Sequence, residues 1–175
     1  MTDIIDEINS LEEQGLWKTA LLKLTRELKD HPNREIAIRL LFVCWYALIE
    51  WGCLDINEEA PNELFESKLK EVTKFLLTNY IDDPEVNFYL GYMISLSAWY
   101  FSDEVEKWES KASDMLSFSA QTEPNNSIYQ MVHLANNKSE GAEYLKFCKL
   151  AKQQVKQKYS GKGEFNLYFR QVLNR

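Results

Sequence analysis

A chain of 175 residues, 45% apolar and 13% aromatic with only six glycines and four prolines, is long enough to bury a core and too apolar to be disordered. Its formal charge of −7 is unevenly spread: residues 1–137 hold 11 Lys and Arg against 24 Asp and Glu, a net of −13, whereas residues 138–175 hold 9 against 3, a net of +6. So acidic a body repels nucleic-acid phosphates and attracts basic proteins, which argues against direct nucleic-acid binding.

Taken in chain order, Asp3 to Gln14 carries Ile4, Ile5, Ile8 and Leu11 at helical spacing, and Gly15 is a natural stop. Leu16 to Asp30 follows, with Trp17, Ala20, Leu21, Leu24 and Leu28 on one face, and ends at His31-Pro32 because the residue before proline is pushed out of the helical region. Asn33 is the expected cap of a third helix that runs to Trp51-Gly52 and is apolar almost all round, so it should be central. A loop from Cys53 to Ala60 leads to Pro61 at the first position of a fourth helix, reaching about Tyr80. Asp82-Asp83-Pro84 caps a fifth, apolar from Phe88 to Trp99, and Ser102-Asp103-Glu104 opens a sixth that Pro124 limits. Ser127 to Asn136, Glu140 to Tyr159 and Glu164 to Leu173 read as three more, the last two separated by Ser160-Gly161-Lys162-Gly163. The expectation is an all-α chain of about nine helices forming one domain over 1–175.

No stretch reaches the roughly 18 to 20 uninterrupted apolar residues that cross a bilayer; the longest, Ile36 to Trp51, is broken by Arg39 and Glu50. The acidic start, Met1 to Glu7, is the opposite of a signal peptide, so a cytoplasmic protein without a membrane partner is expected. Cys44, Cys53 and Cys148 give neither a disulfide framework nor zinc spacing and are expected to be buried free thiols.

Three prolines share a pattern upstream, with apolar or small residues at minus four, minus eight and minus twelve. The sets are Ala20, Leu24, Leu28, Pro32, then Val72, Leu76, Tyr80, Pro84, then Ala112, Leu116, Ala120, Pro124. A step of four keeps each set on one stripe of a helix that the proline ends. Gly15-Leu16-Trp17-Lys18-Thr19-Ala20-Leu21, with Leu24, Leu28, Pro32 and Asn33, resembles the second half of a tetratricopeptide repeat, and Phe88-Tyr89-Leu90-Gly91-Tyr92 is similar to that family's first-helix signature. The resemblance covers roughly residues 1–125 and implies stacked helix pairs whose first helices line a concave protein-binding face; residues 126–175 add C-terminal helices with a basic face. The prolines stand 52 and 40 residues apart, against the family period of about 34, so the stack should be irregular and closed up.

Two histidines, His31 and His133, are too few for a His-based triad or a His-rich metal site, and both read as structural. No phosphate-binding, nucleophile-elbow or zinc-protease motif is present, so no catalytic residue, cofactor or metal is assigned. Paired carboxylates at Glu58-Glu59, Asp82-Asp83-Glu85 and Asp103-Glu104-Glu106 lie near expected helix starts, where dipole complementarity accounts for them. Together they could still form one acidic surface. The dense aromatics, among them Trp45, Tyr46, Trp99, Tyr100, Phe101 and Trp108, read mainly as core, with Tyr89 and Tyr92 the better binding candidates. Lys146, Lys149, Lys152 and Lys156 should form one solvated stripe.

These features are those of a small acidic protein that binds and covers a basic one. In general style the chain resembles the helical immunity proteins of bacterial contact-dependent growth inhibition systems, which implies a basic nuclease toxin as partner. Glu58, Glu59, Asp82, Asp83, Glu85, Tyr89 and Tyr92 are the residues expected to contact it. The alternative is a tetratricopeptide-type adaptor or secretion chaperone holding a peptide segment.

Overall fold

The computed structural model describes residues 2–50, 53, 61–139 and 141–174. The expected 53–60 loop, with Glu58 and Glu59, and the Trp51-Gly52 helix end therefore lie outside the described residues, Cys53 excepted. Among the described residues the chain is wholly helical. It forms α1 (Thr2–Glu13), α2 (Trp17–Asp30), α3 (Arg34–Ile49), α4 (Asn62–Asn79), α5 (Pro84–Ser97), a 3-10 turn (Ala98–Tyr100), α6 (Val105–Thr122), α7 (Ser127–Asn136), α8 (Ala142–Lys158) and α9 (Glu164–Val172). They fall into two compact units, Met1–Tyr80 with Lys162–Phe165, and Ile81–Gly161 with Asn166–Arg175.

In the first unit each helix packs on the next along the chain, α1 on α2, α2 on α3 and α3 on α4. Gly15, at φ 72°, takes the left-handed conformation that closes α1, and the Leu16 N–H turns back to the Leu11 carbonyl at 2.9 Å. Asn33 caps α3 as expected, its Oδ1 accepting from the Ile36 N–H at 2.9 Å. With α2 on one side and α4 on another, α3 is buried from Ile36 to Cys44 without a break, which explains its lack of a polar face. Its own Phe42 and Trp45, with Trp17 of α2 and Phe65 of α4, are among the largest fully buried side chains of the unit. Pro61 stands one place outside the expected position, as the extended residue before α4 rather than its first helical one.

In the second unit α5 packs on α6, α6 on α7 and α7 on α8. Asp83 accepts from the N–H groups of Glu85 and Val86 at 2.9 and 3.0 Å, and Asn87 Nδ2 donates to the carbonyls of Ile81 and Asp83 at 2.6 and 2.9 Å, which fixes the approach to α5. The repeated stripe of Ala112, Leu116 and Ala120 is buried. Gly91 explains the small residue at its head: a Cβ there would lie 2.9 Å from Leu116 Cγ and 3.0 Å from the Ala112 carbonyl oxygen. The two helices approach through the missing side chain.

Three expectations are corrected. Helix α5 stops at Ser97 and the chain tightens into the 3-10 turn, with the Phe101 N–H bonded to the Ala98 carbonyl, so Trp99 leaves the helix and is 57% exposed rather than core. Helix α6 starts at Val105, not at Ser102. Cys44 and Cys148 are buried free thiols, but Cys53 is exposed.

Candidate protein-binding surfaces

The carboxylates and tyrosines expected to face a partner are largely used inside the second unit. Asp82 is exposed and Asp83 is committed to the α5 cap. Glu85 receives Lys158 Nζ at 2.7 Å, and the same ammonium lies 5.5 Å from the Tyr89 ring centre and 5.6 Å from that of Tyr129, so a cation already holds the Glu85 and Tyr89 neighbourhood together. Tyr89 is 2% exposed and shares a 3.1 Å hydrogen bond with the Tyr159 hydroxyl. Burial and the neighbouring Tyr159 hold its hydroxyl well above the usual tyrosine value. Tyr92 is also buried and bonds Tyr168 through the hydroxyls. The expectation of exposed Tyr89 and Tyr92 anchors is therefore corrected: both fill the space between α5 and the C-terminal segment of this unit, because a tyrosine with a hydrogen-bond partner can be buried at little cost.

A different surface of the same unit combines acid with an exposed ring. Trp99 stands outward on the 3-10 turn beside Tyr100, ring centres 5.8 Å apart, and the chain then passes directly into exposed Asp103, Glu104, Glu106 and Glu109. These carboxylates are not drawn into side-chain capping: Glu104 is the residue before α6 and makes no such bond, pairing instead with Lys107 at 2.8 Å. Beneath them Phe101 stacks on Trp108, and Lys111 lies 4.7 Å from the Trp108 ring centre. The turn is thus built on a packed aromatic base while its outer residues remain in solvent. Sequence reasoning placed Trp99 in the core because it continued the apolar run of α5; the signal available was Ser102-Asp103, a turn pair that ends such a run.

The first unit holds a polar cluster that sequence reasoning did not assemble. Arg39, at the centre of apolar α3, is 4% exposed and donates to Asn9 Oδ1 at 2.6 Å and Glu12 Oε2 at 2.7 Å, both on α1. Glu12 Oε2 also accepts the Glu164 N–H at 3.0 Å. The Arg39 guanidinium lies 5.0 Å from the Phe165 ring centre and 5.8 Å from that of Phe42, and these two rings meet edge to face at 5.1 Å. Burial pushes the Glu12 carboxyl up to about 7, against the downward pull of the Arg39 charge. An arginine in the middle of a helix that is buried on nearly every side has to find an acid, and that requirement was the readable signal.

His31 closes α2 and meets Glu27 Oε1 at 3.2 Å, and His133 is half-buried beside Asn137, so both are placed structurally. Lys146, Lys149, Lys152 and Lys156 are exposed on α8, opposite the buried Cys148, Ala151 and Val155, which is the expected solvated stripe. No described helix is long and apolar enough to cross a membrane. The chain matches no protein-family model, no curated protein and no solved structure.

Proposed function

We propose that this chain is a non-enzymatic binding protein of the cytoplasm that covers a basic protein, in its sharpest form an immunity protein that neutralises a basic nuclease toxin. The observation that carries the reading is Trp99, a large ring 57% exposed at the edge of the Asp103, Glu104, Glu106 and Glu109 stretch. Tryptophan is among the residues most often found to anchor interfaces, and carboxylates around it select a cationic partner and speed its approach. In this assignment the acids set the association rate and the ring sets the lifetime of the complex.

The test begins with capture from native extract at low and at high salt, followed by purification of any basic protein recovered one to one. Trp99→Ala is expected to leave the helical content unchanged and to weaken binding to that protein by about 2 kcal/mol, roughly 30-fold. Unchanged affinity would remove Trp99 from the interface. A second reading, an adaptor that holds a peptide segment, is favoured by one observation: in the second unit the chain's own C-terminal segment buries Phe169 among the rings of Tyr89, Tyr92 and Tyr159.

A further inference from the structure

The second unit holds a cavity that the Trp99 surface does not use. It lies between the end of α5, helix α7, the start of α8 and the close of α9, and its volume is about 420 Å³. Small-molecule sites run from roughly 300 to 1,000 Å³. Tyr92, Met131, Val132 and Leu173 give it a buried, mainly apolar lining, while Leu96 and Ala135 are exposed at its edge.

Among the described residues a single charged side chain lines the cavity, that of Lys138. Its ammonium makes no ion pair and no hydrogen bond with any of them, in a chain whose net charge is −7. Its backbone is unusual as well. Lys138 follows α7 at φ 54°, and no other described residue except glycine has a positive φ. The N–H groups of Lys138 and Ser139 return to the carbonyls of Ala135 and Leu134, each at 3.0 Å. This is the helix ending that glycine favours, because a Cβ is strained there. A cation is favourable anywhere in the last turn of a helix, so the dipole alone does not account for a lysine at the strained position.

The neutral polar groups around it are few and already oriented. Ser95 Oγ donates to the Tyr92 carbonyl at 2.8 Å, and Asn136 Nδ2 donates to Ser113 Oγ at 2.8 Å. A cationic ligand would meet no carboxylate in the described lining, and a polyphosphate would meet one cation only. The match is to a molecule with an apolar body and a single negative charge.

We propose that this cavity binds a small amphipathic monoanion, an aromatic or short aliphatic carboxylate. The hydrocarbon part lies against Tyr92, Met131, Val132 and Leu173, and the carboxylate pairs with Lys138. The proposal goes beyond the basic-partner reading and is independent of it, since the cavity shares no residue with Trp99 or the acids that follow it.

The probes are cinnamate and its neutral counterpart cinnamamide, each titrated into the full chain and followed by calorimetry. Wild type is expected to bind cinnamate roughly tenfold more tightly than cinnamamide, as one charge-assisted contact provides. Lys138→Gly separates binding from folding. It removes the backbone strain and is expected to melt at a higher temperature than wild type, yet to bind cinnamate no better than cinnamamide. Ala135→Trp places a large ring at an exposed position lining the cavity and is expected to abolish binding of both probes with helical content unchanged. Equal binding of the two probes to wild type, cinnamate binding undiminished in Lys138→Gly, or no binding of either probe at millimolar concentration would overturn the proposal.

Discussion

Arg39→Met is expected to destabilise the chain by about 3–5 kcal/mol at pH 8, read by urea denaturation. Arg39 is 4% exposed and bonded to Asn9 and Glu12, so its removal leaves the Glu12 carboxylate buried without its counter-charge. The loss should depend on pH in a defined direction. In the folded chain Glu12 titrates at about 7 instead of 4.5, because burial disfavours its charged form more than Arg39 favours it. Between those values the folded state binds more protons than the unfolded one, so the contribution of Glu12 to stability is fully present below 4.5 and is lost as pH rises through about 7. Without Arg39 only the Glu164 N–H still opposes the upward shift, and Arg39→Met should regain part of its loss as pH falls from 8 towards 5. Glu12→Gln supplies the control: its stability relative to wild type should rise with pH across the same window. A flat difference would mean that Glu12 titrates as an ordinary glutamate.

Gly91→Val is the substitution expected to be most damaging in the second unit, at about 3 kcal/mol. A Cβ alone would stand 2.9 Å from Leu116 Cγ, 3.0 Å from the Ala112 carbonyl oxygen and 3.1 Å from Met115 Cβ, and a branched side chain adds two methyl groups where backbone blocks one side. Gly91→Ala should cost less, since alanine recovers about 1 kcal/mol of helix propensity against the crowding. Thermal unfolding of the pair measures the difference; equal melting temperatures for Gly91→Val and wild type would show that α5 and α6 separate easily.

The helices were legible because their signals are local. Gly15, Asn33 and Asp83 each hold a helix end through their own backbone or side chain, and each can be read from a few neighbouring residues. The stripe of Ala112, Leu116 and Ala120 was equally readable, since a step of four places residues on one face whatever they meet.

The candidate site was less legible, for physical reasons that differ by residue. Glu85 looked like a surface acid until Lys158, 73 positions away, was found beside it. Tyr89 and Tyr92 looked like surface anchors because tyrosine is amphipathic; their partners, Tyr159 and Tyr168, lie 70 and 76 positions on. Trp99 looked like core because the turn pair Ser102-Asp103 stands beyond the point, at Ala98, where the helix tightens into a 3-10 turn. Arg39 was visible as an anomaly, yet which of the many acids it would choose depends on packing that pattern does not encode.

The most direct test of the account is the association rate between this chain and a basic protein captured one to one, measured from low to high ionic strength for wild type and for a variant with Asp103→Asn, Glu104→Gln, Glu106→Gln and Glu109→Gln together. The account predicts a rate that falls steeply with salt for wild type and a lower, flatter rate for the variant, with the dissociation rate little changed. Identical rates and identical salt dependence for the two chains would contradict it.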